Sequence, residues 1–304
     1  MATVLIPSGN QHFPVQDYDL DATLNSGQVF RWREYGESWC GVIGSRWVRL
    51  CANDRSIYAE TANPVSDWSW LTRYLQLELN IGSVLATFPV DEPMQAATAA
   101  CRGLRLLRQD PWECLASFIL SSSKQIVQIQ QIVSLLCERY GERISVLPGY
   151  RPAHAFPSAT RLGQLTETDL RGCKMGFRAA YLLETAHALA AGQFDLARLD
   201  SLSVDDARAE LMRLPGVGRK IADCVLLFAY GFQSAFPVDV WVMRALRQLY
   251  FTGRSVSPKR LHRFAAEHFG PNAGYAQQYL FHYMRTGDVQ RTKAKARVAK
   301  ANGA

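Results

Sequence analysis

The chain has 304 residues, 48% hydrophobic and 20% charged, an ordinary soluble globular balance and enough length for one large domain or two compact ones. No apolar run approaches the roughly 18 residues that cross a bilayer, and Met1–Asn10 lack the pattern of a secretory signal. The seven cysteines contain no CxxC pair, which argues against a disulfide framework or a zinc site and for a reducing intracellular setting, while the formal charge of +7 is compatible with binding phosphates.

The first hundred residues read as mixed α/β. Gln28–Glu34, Ser38–Ile43, Trp47–Cys51 and Ser56–Glu60 are short segments rich in aromatic and β-branched residues, separated by the turn-like Tyr35-Gly36-Glu37, Gly44-Ser45 and Asn53-Asp54. That spacing predicts an antiparallel sheet. Asn63-Pro64 and Asp91-Glu92-Pro93 each put a cap donor beside proline and predict helix starts.

From about Asp110 the pattern turns helical. Asp110-Pro111-Trp112-Glu113 supplies an N-cap, a proline at the first helical position and an acid in the first turn. Ile126, Ile129, Ile132, Val133 and Leu136 keep helical spacing. Further helices are predicted over Phe177–Ala190, Val204–Arg213, Arg219–Tyr230, Val240–Leu249, Lys259–His268 and Ala273–Met284. The end, with Arg291, Lys293, Lys295, Arg297 and Lys300 and no acid after Asp288, is expected to be a solvated disordered tail.

Leu214-Pro215-Gly216-Val217-Gly218-Arg219-Lys220 is the strongest local signal. It joins two predicted helices by a turn that two glycines keep tight, and it leaves backbone N–H groups at a helix N-terminus open to a phosphate. The pattern resembles the helix-hairpin-helix DNA-binding motif, and that resemblance implies a hairpin that anchors the DNA backbone and reads no bases; an αα-hairpin with a glycine C-cap is the plainer alternative. Lys220 lies in the first turn of the second helix. A lysine nucleophile must be neutral, and burial, an adjacent guanidinium and a helix N-terminus all disfavour an ammonium. By position alone, a phosphate clamp explains Lys220 equally well. Nineteen residues on, Asp239 in Pro237-Val238-Asp239 sits where an N-cap belongs, and an ionised acid there can stabilise positive charge on a sugar.

These two coupled motifs resemble the helix-hairpin-helix glycosylase superfamily with its Gly/Pro-rich loop and Asp. The resemblance implies that Asp239 is catalytic and that Lys220 makes the chain a bifunctional glycosylase and abasic-site lyase. Ser26-Gly27-Gln28-Val29-Phe30-Arg31-Trp32 and Ala273-Gly274-Tyr275-Ala276-Gln277-Gln278-Tyr279-Leu280-Phe281 are similar to segments of the 8-oxoguanine DNA glycosylases. By that likeness Gly27 accepts N7–H of the lesion, Gln277 reads the Watson–Crick edge, and Phe281 and Cys224 sandwich the base. Taken singly, Gly27 is a turn glycine, and Phe281 and Cys224 are core residues.

Met175-Gly176-Phe177-Arg178-Ala179-Ala180-Tyr181 resembles the family stretch in which Phe177 wedges the duplex and Arg178 contacts the estranged base. By the same likeness Gly216, Val217 and Gly218 anchor backbone phosphate. The pattern breaks at Ser123 and Gln128, where the family has an asparagine and an arginine that read the opposite cytosine, and at Trp241, where a histidine often contacts phosphate. Strict preference for cytosine is thereby in doubt.

The fold implied is α+β: a TBP-like N-terminal antiparallel sheet domain over residues 1–105, an all-α glycosylase domain over 106–288 with the hairpin at 203–231, and the tail 289–304. The function implied is excision of 8-oxoguanine from double-stranded DNA in base excision repair, by a monomer associated with DNA in nucleus or nucleoid, without membrane. The scheme requires no metal or nucleotide cofactor. No cysteine follows Cys224, so the iron–sulfur cluster of some related enzymes has no ligands. The rival readings are a helix-hairpin-helix glycosylase for alkylated bases or mispaired adenine, and a non-catalytic protein that uses the hairpin as a clamp.

Overall fold

The computed structural model describes residues 9–251 and 256–301, apart from the side chains of Pro258 and 288–301. Five antiparallel strands, β1 (Gly9–Pro14), β2 (Arg33–Tyr35), β3 (Ser38–Ile43), β4 (Arg46–Ala52) and β5 (Ser56–Thr61), pair in the order β1-β5-β4-β3-β2. Ser38–Ile43 is predicted residue for residue, and the strands predicted over Trp47–Cys51 and Ser56–Glu60 fall within β4 and β5. The segment Gln28–Trp32, expected in a strand, is a buried irregular loop, because its polar groups bond to the helical half instead of to a neighbouring strand. Strand β1 was not legible: of its six residues only Gly9 and Phe13 are buried, so hydrophobic alternation is absent.

Helix α1 (Leu20–Asn25) precedes that loop, and α2 (Ser69–Leu75) covers the sheet. No helix starts at Asn63-Pro64; the chain stays irregular until Trp68. Helices α3 (Ile81–Leu85) and α4 (Glu92–Ala100) follow, and the Asp91 carboxylate caps α4 by accepting from Met94 N, as its sequence implies.

Helices α5 (Pro111–Leu120), α6 (Ile126–Tyr140), α7 (Ala159–Gly163), α8 (Glu167–Arg171), α9 (Arg178–Ala190), α10 (Val204–Leu211), α11 (Arg219–Val225), α12 (Val240–Leu249), α13 (Pro258–His268) and α14 (Ala273–Ala301) build the second layer. Asp110 caps α5 through Glu113 N at 2.8 Å. A π-helical turn, Leu226–Tyr230, continues α11. Where a disordered tail is expected from residue 289, the backbone continues α14 to Ala301, since the Ala/Lys/Arg-rich segment contains neither proline nor glycine before Gly303. Its basic side chains, and residues 302–304, lie outside the described residues. Among the described residues no helix is long and apolar enough to cross a membrane.

Two cores result. One, with Trp32, Trp39, Val48, Leu50, Ile57, Leu71 and Leu75, lies between the sheet and α2. The larger takes the helical half, and it also takes Ile81, Val84, Met94 and Ala97 from α3 and α4. The two cores interleave along the chain, since Leu107 belongs to the sheet core and Ala22 and Phe30 to the larger one. Helix α14 ties the halves together: the Tyr279 hydroxyl donates to Leu104 O, and Leu106 N donates to the Tyr275 hydroxyl.

Candidate active site

The turn between α10 and α11 closes with Val217 N donating to Leu214 O at 3.1 Å. Gly216 has φ +72°, and a Cβ there would meet the Tyr181 ring at 2.5 Å, so glycine is required. Gly218 differs from its sequence reading. Its φ of −91° suits any residue, and a side chain would point into open space; what its hydrogen keeps is access to the backbone N–H groups beside it. Beneath the turn, Arg208 of α10 and Asp223 of α11 form a buried ion pair, Nε–Oδ1 2.5 Å, with Arg219 Nε 3.6 Å from the other oxygen. This clamp fixes the angle of the hairpin and hence the first turn that carries Lys220.

Lys220 does not point into bulk solvent. Its half-buried amine donates to the Ser121 hydroxyl at 3.2 Å and lies 5.2 Å from the Phe118 ring centroid. The Ser121 hydroxyl donates its own proton to Phe118 O, which leaves its oxygen turned to the amine. Phe118 in turn stacks on Phe228, which the π-turn presents, and meets Phe30 edge-on.

Asp239 caps α12 by accepting from Val242 N at 2.8 Å. Burial raises its pKa above the usual aspartate value, against the opposing pull of Val242 N–H and the Lys220 amine. Lys220 and Asp239 line one cavity of about 830 Å³ and interact electrostatically within it. Burial pushes the Cys224 thiol up to about 12, so at neutral pH it is an apolar wall and not a competing nucleophile.

Gly27, Cys224, Gln277 and Phe281 line the same cavity, as do Ser123 and Gln128 at its rim. Gly27 has φ +83°, and a Cβ would lie 2.8 Å from Ile126 Cδ1 and 3.4 Å from Phe281. Its neighbours are pinned. The fully buried Gln28 donates to Arg105 O and accepts from Leu107 N, each at 2.8 Å, Gln109 donates to Gln28 O, and Gln278 donates to Ser26 O. A backbone carbonyl held between two such residues is rigidly placed. Gln277 is 4% exposed, and among the described residues its Oε1 has no hydrogen-bond partner. A buried amide oxygen without a donor points to a donor supplied by a ligand.

The expected DNA-contact residues fall in different settings. Phe177, expected as the wedge, is 53% exposed at the tip formed by Lys174 and Gly176, both at positive φ. Arg178, expected at the estranged base, is instead 4% exposed: its guanidinium donates to the carbonyls of Met175 and Ser122 and lies 4.2 Å from the Phe177 ring centroid. It braces the exposed Phe177 tip and the Ser121–Ser123 loop. Gln128 is exposed, but its Oε1 accepts from Gln125 N and caps α6. Exposed Ser123 holds φ +53°, a torsion that asparagine adopts more readily than serine. Trp241, flagged for its departure from histidine, also lines the cavity.

Sequence reasoning missed Ser121 and Phe118, which hold the amine, Phe228, which stacks on Phe118, and the Gln28, Gln109 and Gln278 hydrogen bonds. Only Gln28 and Gln278 carried a signal, as polar residues inside otherwise apolar motifs.

Two family models cover most of the chain. Residues 12–115 match the 8-oxoguanine DNA glycosylase N-terminal domain, and residues 116–271 match the HhH-GPD superfamily base excision DNA repair protein. The chain belongs to the 8-oxoguanine glycosylases of the HhH-GPD superfamily. A relative named probable N-glycosylase/DNA lyase, from Methanothermobacter thermautotrophicus, is 32% identical over 92% of this chain and 98% of its own length. N-glycosylase/DNA lyase OGG1 of Arabidopsis thaliana is 34% identical over 86% of this chain and 76% of its own. The 8-oxoguanine glycosylase/lyase of Clostridium acetobutylicum, solved with double-stranded DNA containing cytosine opposite 8-oxoG, superposes with a TM-score of 0.84 at 30% identity, covering 91% of this chain and 98% of that one. The glycosylase family membership accounts for both layers: one model falls on the sheet half through α4 and into α5, the other on the helices that carry Lys220 and Asp239.

Proposed function

We propose that the chain is a bifunctional DNA glycosylase and abasic-site lyase that removes 8-oxoguanine from double-stranded DNA in base excision repair. The observation that carries this reading is the placement of the Lys220 amine and the Asp239 carboxylate in one cavity whose walls include Gly27 and Gln277. The family membership rules against the clamp-only reading, since a clamp needs neither a half-buried amine nor a lined pocket beside it.

The hairpin at Gly216–Gly218 holds backbone phosphate, Phe177 fills the stack, and the extruded base enters between Phe281 and Cys224. The Gly27 carbonyl accepts N7–H, and the free Gln277 oxygen accepts from the base's Watson–Crick donors. As the N9–C1′ bond breaks, its electron pair leaves with the base, and the ionised Asp239 stabilises the positive charge at C1′. The Lys220 amine bonds to C1′; loss of a proton and opening of the sugar give a Schiff base. Loss of a C2′ proton then expels the 3′ phosphate and nicks the strand. The enzyme acts as a monomer on DNA of the nucleus or nucleoid. With Gln128 engaged as a helix cap and serine at 123, discrimination among bases opposite the lesion is weak.

Borohydride added to protein and 8-oxoguanine duplex is expected to trap a covalent adduct, and Lys220→Gln to abolish it. Base release without trapping, or binding without release, would overturn the lyase or the enzyme reading respectively. Repeating the assay with each opposite base measures the weak discrimination directly.

A further inference from the structure

Helix α14 sends three residues four apart into the cavity: Gln277, Phe281 and Arg285. Eight residues of helix place the first and last about 12 Å apart along the axis, so they form a single stripe along the wall. Gln277 and Phe281 have roles in the reading above. Arg285 has none, and nothing in the sequence singled it out.

Its surroundings are unusual for a guanidinium. Arg285 donates to Asn25 O, and its Cζ lies 6.0 Å from the Phe281 ring centroid. Its Nε is buried with no hydrogen-bond partner, and no carboxylate pairs with it, among the described residues. Burial lowers its pKa, so the surroundings disfavour the charge it carries. Desolvating a cation without a counter-ion is costly, and such a site is complementary to a negative charge that arrives or develops later. The cavity wall holds Lys124, Lys220 and Arg285 but one acid, Asp239.

We propose that Arg285 is a catalytic residue that stabilises the negative charge developing on the departing base. The inference rests on the glycosylase reading. When the N9–C1′ bond breaks, both its electrons go to the purine, and the Lys220 nitrogen forms the new bond to C1′. The alkylated nitrogen then carries an extra proton, which passes to the purine anion and releases a neutral base. During this interval the anion lies against Phe281, whose ring is also beside the Arg285 guanidinium. A fixed cation beside the departing base lowers the barrier only for the step in which that charge appears.

The test separates that step from the one after it. In single turnover, Arg285→Gln is expected to slow release of 8-oxoguanine by about 10-fold or more. Nicking of duplex with a preformed abasic site, which has no base to expel, should stay within about two-fold of the parent enzyme. Arg285→Lys, which keeps the charge, should recover most of the base release. Equal losses on both substrates, weakened binding of both duplexes as the sole defect, or a lysine variant no better than the glutamine one at equal melting temperature would each overturn the proposal. Unchanged base release in Arg285→Gln would overturn it too. Failure of the parent enzyme to form the borohydride adduct would instead defeat the glycosylase-lyase reading itself.

Discussion

Asp239 serves two demands with one carboxylate. It caps α12 through Val242 N, and it shares the cavity with the Lys220 amine. Because burial raises its folded-state pKa, the acid limb of base release should lie above the ordinary aspartate range: activity is present above that pKa and lost as pH falls through it. The stability sign is opposite. The folded chain holds this proton more tightly than the unfolded one, so the group's contribution to folding is present below the unfolded pKa and lost as pH rises through the folded one. Asp239→Asn keeps a cap acceptor and removes the desolvated charge. Base release should fall about 100-fold or more, with a melting temperature at pH 7 that is unchanged or higher. Full activity with a lower melting temperature would contradict this. Gly27→Ala tests the pocket's other wall. A left-handed torsion costs a residue with a Cβ roughly 1–2 kcal/mol, and the added methyl presses on Ile126. Selectivity for 8-oxoguanine over guanine should drop in paired single-turnover assays, while abasic-site nicking persists.

Among elements, the hairpin was the most legible part and its clamp the least. Pro215-Gly216-Val217-Gly218 announces a tight turn because few residues tolerate φ +72°. That Arg208 and Asp223 meet beneath it follows from a helix crossing that no local pattern encodes. Arg208→Met should leave the fully buried Asp223 with only the distant Arg219, costing about 3–5 kcal/mol in denaturant unfolding. A loss under about 1 kcal/mol would mean that water or Arg219 replaces the pair. Caps were read correctly where aspartate precedes proline or glutamate, at Asp91 and Asp110, since an N-cap is a contact within three residues. Asn63-Pro64 failed as a start: the chain there runs against the edge of the sheet, with Asn63 O and Val65 N beside Gly9 and Asn63 O accepting from the Thr61 hydroxyl. The π-turn at Leu226–Tyr230 leaves no mark in periodicity, yet Phe228 at the pocket floor depends on it.

At the scale of the molecule, α14 couples the sheet half to the cavity. Its Tyr275 and Tyr279 hydroxyls engage the backbone of residues 106 and 104, and Gln278 holds Ser26 beside Gly27. A chain ended at Asn272 should therefore lose base release entirely and melt at lower temperature, as read by calorimetry; retention of selective excision would show that the Gly27 loop is placed without α14. By itself the sequence determined the order of most elements, the α+β class and the hairpin, because short-range sterics and capping are written in neighbouring residues; Lys220, Asp239, Gly27, Gln277 and Phe281 were expected as site residues through the family resemblance of the motifs that hold them. Tertiary structure alone decided that Ser121 holds the amine, that Arg178 is buried against the Ser121–Ser123 loop, that burial raises the pKa of Asp239, and that Arg285, without a carboxylate partner among the described residues, lines the cavity. Each of those depends on which distant groups exclude water from a site, and exclusion of water is a property of the packed whole.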